Sequence, residues 1–126
     1  MAWLKFDDQF PDHPKVVAAG PFAAWLYVCG IAYSSRHLTD GFVPAAAVSR
    51  LADFEAAGVK KTLANCDRLA TILCENGLWH EVDGGYVIHD YDAYQPSKQD
   101  VLQVRAARSE KARHAAITRW NKQKAA

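Results

Sequence analysis

Residues 78–90 read LWHEVDGGYVIHD, and they form the strongest local pattern in the chain. Two runs of β-prone residues, 78–82 and 86–90, are separated by Asp83-Gly84-Gly85. A glycine-rich tight turn between two such runs is typical of a β-hairpin. The sequence therefore predicts two antiparallel strands here, and the rest of the fold is read outward from them.

The length of the turn decides whether two histidines meet across this hairpin. A two-residue turn at Gly84-Gly85 places His80 opposite His89, whereas a three-residue turn pairs His80 with Ile88 and separates the imidazoles. Zinc usually requires three or four protein ligands, and Cys66 and Cys74 fit a helical core pattern. We therefore expect no metal site and no cofactor.

Several helices and one short extended segment precede the hairpin. Prolines mark two helix starts, because a residue without an N–H is well tolerated in the first helical position. Gly77 marks the end of the helix before the hairpin, since glycine is favoured just beyond a helix terminus. The predicted segments are a short helical turn capped by Asp12, a helix from Pro21 to about Arg36, the extended pair Phe42-Val43, a helix from Pro44 to about Phe54, and a helix from Val59 to about Asn76.

Periodicity indicates which faces of two of these helices are buried. In the first long helix, apolar residues cover much of the circumference, which predicts a central, buried position. In the helix before the hairpin, one side is apolar and the other polar at 100° per residue. The residues expected inside are Trp25, Leu26, Val28, Cys29, Ala32 and Tyr33 in the first, and Val59, Leu63, Cys66, Leu69, Ala70 and Leu73 in the second, with Lys61, Ala64, Arg68, Thr71 and Glu75 opposite.

Charge divides the chain into an acidic body and a basic tail. The net charge of the whole chain is +1, but residues 1–96 hold 7 basic and 12 acidic residues, a net charge of −5. Residues 97–126 hold 8 basic and 2 acidic residues, a net charge of +6. Ser97 and Asp100 resemble a capping box that begins a helix from Lys98 to about Trp120. The sequence predicts a body, residues 1–96, followed by a basic helical tail, residues 97–126.

Composition excludes several classes of protein. The chain has 126 residues, 50% of them hydrophobic and 23% charged, which is typical of one globular domain. Its apolar runs are far shorter than the roughly 20 residues of a membrane span, and its N-terminus lacks the pattern of a signal peptide. Three cysteines without a CxxC spacing favour reduced thiols. We expect a cytoplasmic protein with no membrane partner.

The order helix, short strand, helix, helix, hairpin is that of the winged helix-turn-helix. The fold class we predict is mainly α with a small β-hairpin, a winged helix-turn-helix with a C-terminal basic helix. In this fold the third helix reads DNA and the hairpin is the wing.

The chain also resembles a family of phage and prophage replication proteins. The resemblance lies in LTDGFVPAAAVSRL (residues 38–51), in ENGLWHEVDGGYVIHDYDAYQPSK (residues 75–98), in the WLKFDD opening and in the basic tail, and it covers about residues 3–124. These proteins begin with a winged helix similar to the N-terminal domain of DnaD-type replisome organisers. The resemblance implies a DNA-associated role in replication initiation or its control, with replication proteins as partners. Organisers of this type usually carry a further C-terminal domain, and this chain ends at Ala126.

Two groups of residues are candidates for DNA contact. Lysine and arginine neutralise phosphates, and arginine and asparagine pair with base edges in the major groove. We expect double-stranded DNA rather than single-stranded DNA as the partner. The candidates in the third helix are Lys60, Lys61, Asn65, Arg68 and Thr71, and those in the tail are Arg105, Arg108, Lys111, Arg113, Arg119, Lys122 and Lys124.

Other readings of these features remain open. The wing tip at Asp83 lacks lysine and arginine, so we expect it to pack on protein rather than on DNA.

No serine or cysteine lies in a nucleophile setting, and adjacent strand residues such as His89 and Asp90 point to opposite faces, so we predict no enzyme. The acidic body favours an alternative function, a winged-helix module for self-association or protein–protein interaction, with a homo-oligomer as the product.

Overall fold

The computed structural model describes residues 3–125, with side chains through Lys124. The chain divides into two compact units, the first ending at Gln95 and the second beginning at Pro96. Among the described residues, no helix combines the length and the apolar character that a membrane crossing requires.

The first unit is mainly helical with a small antiparallel sheet, as predicted. Its helices and strands follow one another in the predicted order, and Pro14 and Pro21 each begin a helix. A 3₁₀ turn (Phe10–Asp12) comes before them all. The elements are α1 (Pro14–Ala19), α2 (Pro21–His37), β1 (Phe42–Pro44), α3 (Ala45–Val48), α4 (Cys66–Glu75), β2 (Trp79–Val82), β3 (Gly85–Ile88) and α5 (Tyr91–Tyr94).

The sheet has three strands in the order β1-β3-β2, all antiparallel. The predicted hairpin is confirmed, but its turn is Asp83-Gly84, because Val82 pairs with Gly85. His80 is therefore opposite Val87, and neither register considered from the sequence is correct. The reason lies in β1: a Cβ on residue 85 would overlap the Val43 carbonyl oxygen, so the glycine is needed inside the strand.

The core lies between α2, α4 and the inner face of the sheet. Leu26, Leu73 and Trp79 are fully buried in it. Gly30 of α2 lets the helix approach Trp79, since a Cβ there would lie 2.7 Å from the Trp79 Cζ2 atom. The Trp79 indole nitrogen is buried without a hydrogen-bond partner among the described residues.

The turn between α2 and β1 is organised by a buried serine. Ser34 is fully buried, and its Oγ accepts a 2.6 Å hydrogen bond from the Gly41 N–H and lies 2.8 Å from Thr39 Oγ1. Thr39 Oγ1 in turn lies 2.6 Å from the Phe42 carbonyl oxygen. Gly41 has a φ of +93°, a left-handed conformation that favours glycine. These bonds fix the turn that follows α2 and the position at which β1 begins.

The predicted helix over 59–76 is wrong in its first turns. Its helical part, α4, begins at Cys66, and residues 60–64 form a separate turn closed by bonds to the Lys60 carbonyl. The Asn65 side chain accepts hydrogen bonds from the N–H groups of Asp67 and Arg68, so it caps a new helix instead of continuing an old one. Leu63 is consequently exposed and Ala64 buried, the reverse of the prediction.

Three further expectations differ from the structure. The predicted helix over 44–54 is only one turn, α3. Residues 47–51 continue as short turns with i→i+3 hydrogen bonds. Asp53 then begins another turn, because its side chain accepts a hydrogen bond from the Ala56 N–H. His13 rather than Asp12 caps α1, its Nδ1 accepting from the Lys15 N–H. Trp25 is 55% exposed, because it lies on the side of α2 turned away from the core.

The second unit is a single long helix, α6 (Lys98–Ala125), which extends beyond the predicted end near Trp120. The predicted capping box is confirmed: the Asp100 N–H donates to Ser97 Oγ at 3.1 Å, and the Ser97 N–H donates to Asp100 Oδ2 at 3.4 Å. Every described side chain of this helix except the half-buried Val101 is exposed. Nothing within the unit buries an apolar face of the helix.

Candidate nucleic-acid interface

The two lysines predicted to lie in the third helix lie in the turn before it. Lys60 and Lys61 are both exposed. Lys61 Nζ forms an ion pair with Glu55 Oε1 at 3.3 Å, and both side chains are largely exposed. Such an exposed pair is weak and is readily exchanged for a phosphate, although the carboxylate reduces the local positive potential.

The outer face of α4 carries little positive charge. Its exposed side chains are Asp67, Arg68, Thr71 and Glu75, of which only Arg68 is a cation. Thr71 Oγ1 donates to the Asp67 carbonyl oxygen at 3.4 Å, a common way for threonine to use its hydroxyl within a helix. The helix predicted to read DNA is thus accessible, but its electrostatic attraction for a polyanion is small.

Asn65 is placed differently from the prediction. It was expected to project from a helix toward base edges, but its side-chain oxygen is engaged at the N-terminus of α4, 3.0 Å from the Asp67 nitrogen and 3.3 Å from that of Arg68. An Asn directly before the apolar repeat that begins at Cys66, with Asp67 in the first turn, is the sequence pattern that could have indicated this cap.

The cations of the second unit form a stripe. At 100° per residue, five of the predicted tail residues fall within an arc of about 120° around α6, and no acidic residue shares that arc. All five side chains are exposed. We call this set the basic arc: Arg105, Arg108, Lys111, Arg119 and Lys122.

Two further predicted tail residues lie on a different side of α6. Arg113 and Lys124 fall beside Leu102, Ile117 and Trp120, which are exposed by 45, 47 and 62%. The apolar residues on this side are therefore interrupted by charge and exposed to solvent. We call this side the mixed face. It lies on roughly the opposite side of α6 from the basic arc.

The tip of the β2–β3 hairpin is acidic and exposed, so within the described residues it does not pack on the body as expected from the sequence. Glu81 and Asp83 are exposed near the tip, and no lysine or arginine occurs between Trp79 and Ile88. Trp79 and Tyr91, which could have supported assembly by facing solvent, are instead buried in the core. An exposed apolar groove lies elsewhere, between α1 and α2, where Val17 and Trp25 are exposed by 64 and 55%.

The two histidines of the hairpin do meet, although in neither of the registers considered from the sequence. Across the hairpin, His80 is paired with Val87, and His89 lies two residues further along the chain. Even so, His80 Nε2 lies 2.8 Å from His89 Nδ1. His89 Nε2 in turn lies 3.3 Å from Asp90 Oδ2. The expected opposite orientation of His89 and Asp90 is wrong, because β3 ends at Ile88 and Asp90 has a left-handed backbone with φ of 55°.

The first unit also contains a cavity of about 530 Å³ between its N-terminal segment, α2 and the exit of the hairpin. Phe10 and Tyr27 stack along it with ring centroids 5.7 Å apart. Burial raises the pKa of the Tyr27 phenol, and the nearby negative charge of Asp90 raises it further. The phenol therefore remains a neutral hydrogen-bonding group well above neutral pH.

Comparison with known proteins finds no relative of this chain. No protein-family model matches it, and no curated protein or solved structure matches it significantly.

Proposed function

We propose that this protein is a winged-helix DNA-binding protein that contacts DNA chiefly through the basic arc of α6. The observation that carries the proposal is the concentration of five exposed cations on one side of a helix that has no acidic residue within that arc. The basic arc runs from Arg105 to Lys122, about 26 Å along the helix at 1.5 Å per residue. It therefore extends along most of one turn of the double helix, which rises about 34 Å per turn.

The architecture of the first unit supports the winged-helix part of the proposal. The chain order α2, β1, α3, α4 and then the β2–β3 hairpin is the order of a winged helix, and β1 completes the sheet beside β3. In this arrangement α4 is the reading helix. Lys60, Lys61 and Arg68 supply phosphate contacts that assist the basic arc.

The resemblance to phage replication proteins supplies the biological setting of the proposal. We infer a role in replication initiation or its control, on double-stranded DNA, without catalytic activity. Replication proteins are the partners this setting suggests.

The experiment is a comparison of two variants with equal loss of charge. Arg108→Gln combined with Arg119→Gln removes two cations from the basic arc, and Arg113→Gln combined with Lys124→Gln removes two from the mixed face. Binding to a labelled duplex is measured by fluorescence anisotropy across a salt series. Because each lost phosphate contact removes about 0.9 from the log–log salt slope, the arc variant reduces the slope by about 2 and the control leaves it unchanged.

Equal effects of the two variants would show that only total charge matters, and the arc would then lose its role. Circular dichroism of both variants checks that α6 remains helical, since glutamine and arginine have similar helix propensities.

A second candidate function is self-association through the first unit. The observation that favours it is the exposed groove between α1 and α2, whose lining includes Val17, Trp25 and Val28. Exposed apolar surface of this kind marks protein–protein contacts. Sedimentation velocity over a concentration series tests this function: Trp25→Ser dissociates an assembly built on the groove and leaves DNA affinity per chain intact.

A further inference from the structure

The outer face of the β2–β3 hairpin carries two imidazoles in direct contact. Trp79 and Ile88 point into the core, so the alternating residues His80 and His89 point outward. Their nitrogens are 2.8 Å apart, and the rings meet edge to face with centroids 5.0 Å apart. Strand β2 holds the His80 backbone, and the His89 N–H donates to the Leu78 carbonyl oxygen at 2.9 Å, so both backbones are held in place and the two nitrogens lie side by side.

The neighbouring carboxylate favours one arrangement of protons in this pair. Asp90 Oδ2 lies 3.3 Å from His89 Nε2, so it accepts from an N–H on that nitrogen. In the tautomer with that N–H, His89 Nδ1 offers a lone pair that accepts from an N–H on His80 Nε2, 2.8 Å away. The neutral imidazole of such a tautomer is the form that binds metals.

We propose that His80 Nε2 and His89 Nδ1 form a binding site for a divalent transition-metal ion of the class that prefers imidazole, such as Zn²⁺, Ni²⁺ or Cu²⁺. The ion takes the place of the shared proton, which moves through water to His80 Nδ1. Two metal–nitrogen bonds of about 2.0–2.1 Å at a tetrahedral angle separate the nitrogens by about 3.3 Å. The pair therefore opens by only about 0.5 Å from its present 2.8 Å.

Asp90 has the position of an outer partner in this site. Metal-binding histidines commonly donate their second N–H to a carboxylate, which orients the ring and increases its basicity. Within the described residues, no group of three or more His, Cys, Asp or Glu side chains can share one ion, so this is a two-ligand site, weaker than the three- or four-ligand zinc sites on which our expectation of no metal rested. Water completes the coordination, and the site is independent of the proposed DNA binding.

Isothermal titration of the full chain with ZnCl₂ or NiCl₂ at pH 7.5 tests the site. We expect one saturable site in the wild type, and His80→Ala or His89→Ala abolishes saturable binding, because only one of the two protein ligands remains. Asp90→Asn keeps both ligands and weakens binding by about 10- to 100-fold, as expected of an outer partner. His114→Ala in α6 is the control and leaves binding unchanged.

Nitrogen-15 NMR of the wild-type imidazoles measures metal binding directly, so it does not depend on whether the variants fold. Metal binding shifts Nε2 of His80 and Nδ1 of His89, while His89 Nε2 stays protonated beside Asp90. Binding that survives in His80→Ala, or that is reduced equally by His114→Ala, overturns the proposal.

Discussion

At the scale of single residues, the most consequential polar group in the body is the hydroxyl of Ser34. It is fully buried, accepts from the Gly41 N–H and lies 2.8 Å from Thr39 Oγ1. One side chain thus connects the end of α2 with the turn before β1. Burial raises the pKa of the Tyr91 phenol more than the Ser34 hydroxyl lowers it, so this phenol keeps its proton in the folded protein.

We expect Ser34→Ala to lower the free energy of unfolding by about 1–3 kcal/mol, since it leaves the Gly41 N–H buried without an acceptor. Urea unfolding followed by tryptophan fluorescence measures the change. Ser35→Ala, one position further along the same helix and less buried, serves as the control and alters stability by less than about 0.5 kcal/mol. Equal stability of the two variants would contradict the role of Ser34.

At the scale of elements, the start of α4 depends on a cap and not on hydrophobic periodicity. The pattern of Val59, Leu63 and Cys66 continues through the turn before the helix, so periodicity alone predicts a longer helix. The Asn65 side chain offers the Asp67 and Arg68 N–H groups an alternative acceptor, and the helix begins there.

Asn65→Ala therefore lowers stability by about 1 kcal/mol, whereas Asn65→Asp retains a capping oxygen and preserves stability. Thermal unfolding of both variants gives the comparison. A fully stable Asn65→Ala protein that has lost DNA affinity would instead support the original expectation that Asn65 reads bases.

Local sequence patterns predict several elements correctly, but they fail where contacts with residues far along the chain determine the structure. The proline at the start of α2, the hairpin and the Ser97–Asp100 capping box depend on neighbouring residues, and the sequence predicts each of them. The hairpin register depends on β1, which is about 40 residues away and leaves no room for a side chain at Gly85. The contact between His80 and His89 follows from that register, so it could not be predicted locally.

At the scale of the whole molecule, charge is distributed unevenly between two units of different character. The first unit has a core and an acidic surface, and its proposed reading helix exposes a single cation. The second is an exposed helix whose basic arc has no structural role within the unit. Of the candidate DNA-contact residues, the structure groups those of the basic arc on one side of α6 and leaves Asn65 as a cap.

The most direct test of DNA binding through the basic helix is the affinity of the intact protein for a labelled duplex across a salt series. With about six phosphates neutralised in all by the basic arc and the cations of the first unit, the log–log slope is near −5. The same strand in single-stranded form binds more weakly. Absence of binding at low salt, or binding without salt dependence, would contradict the account.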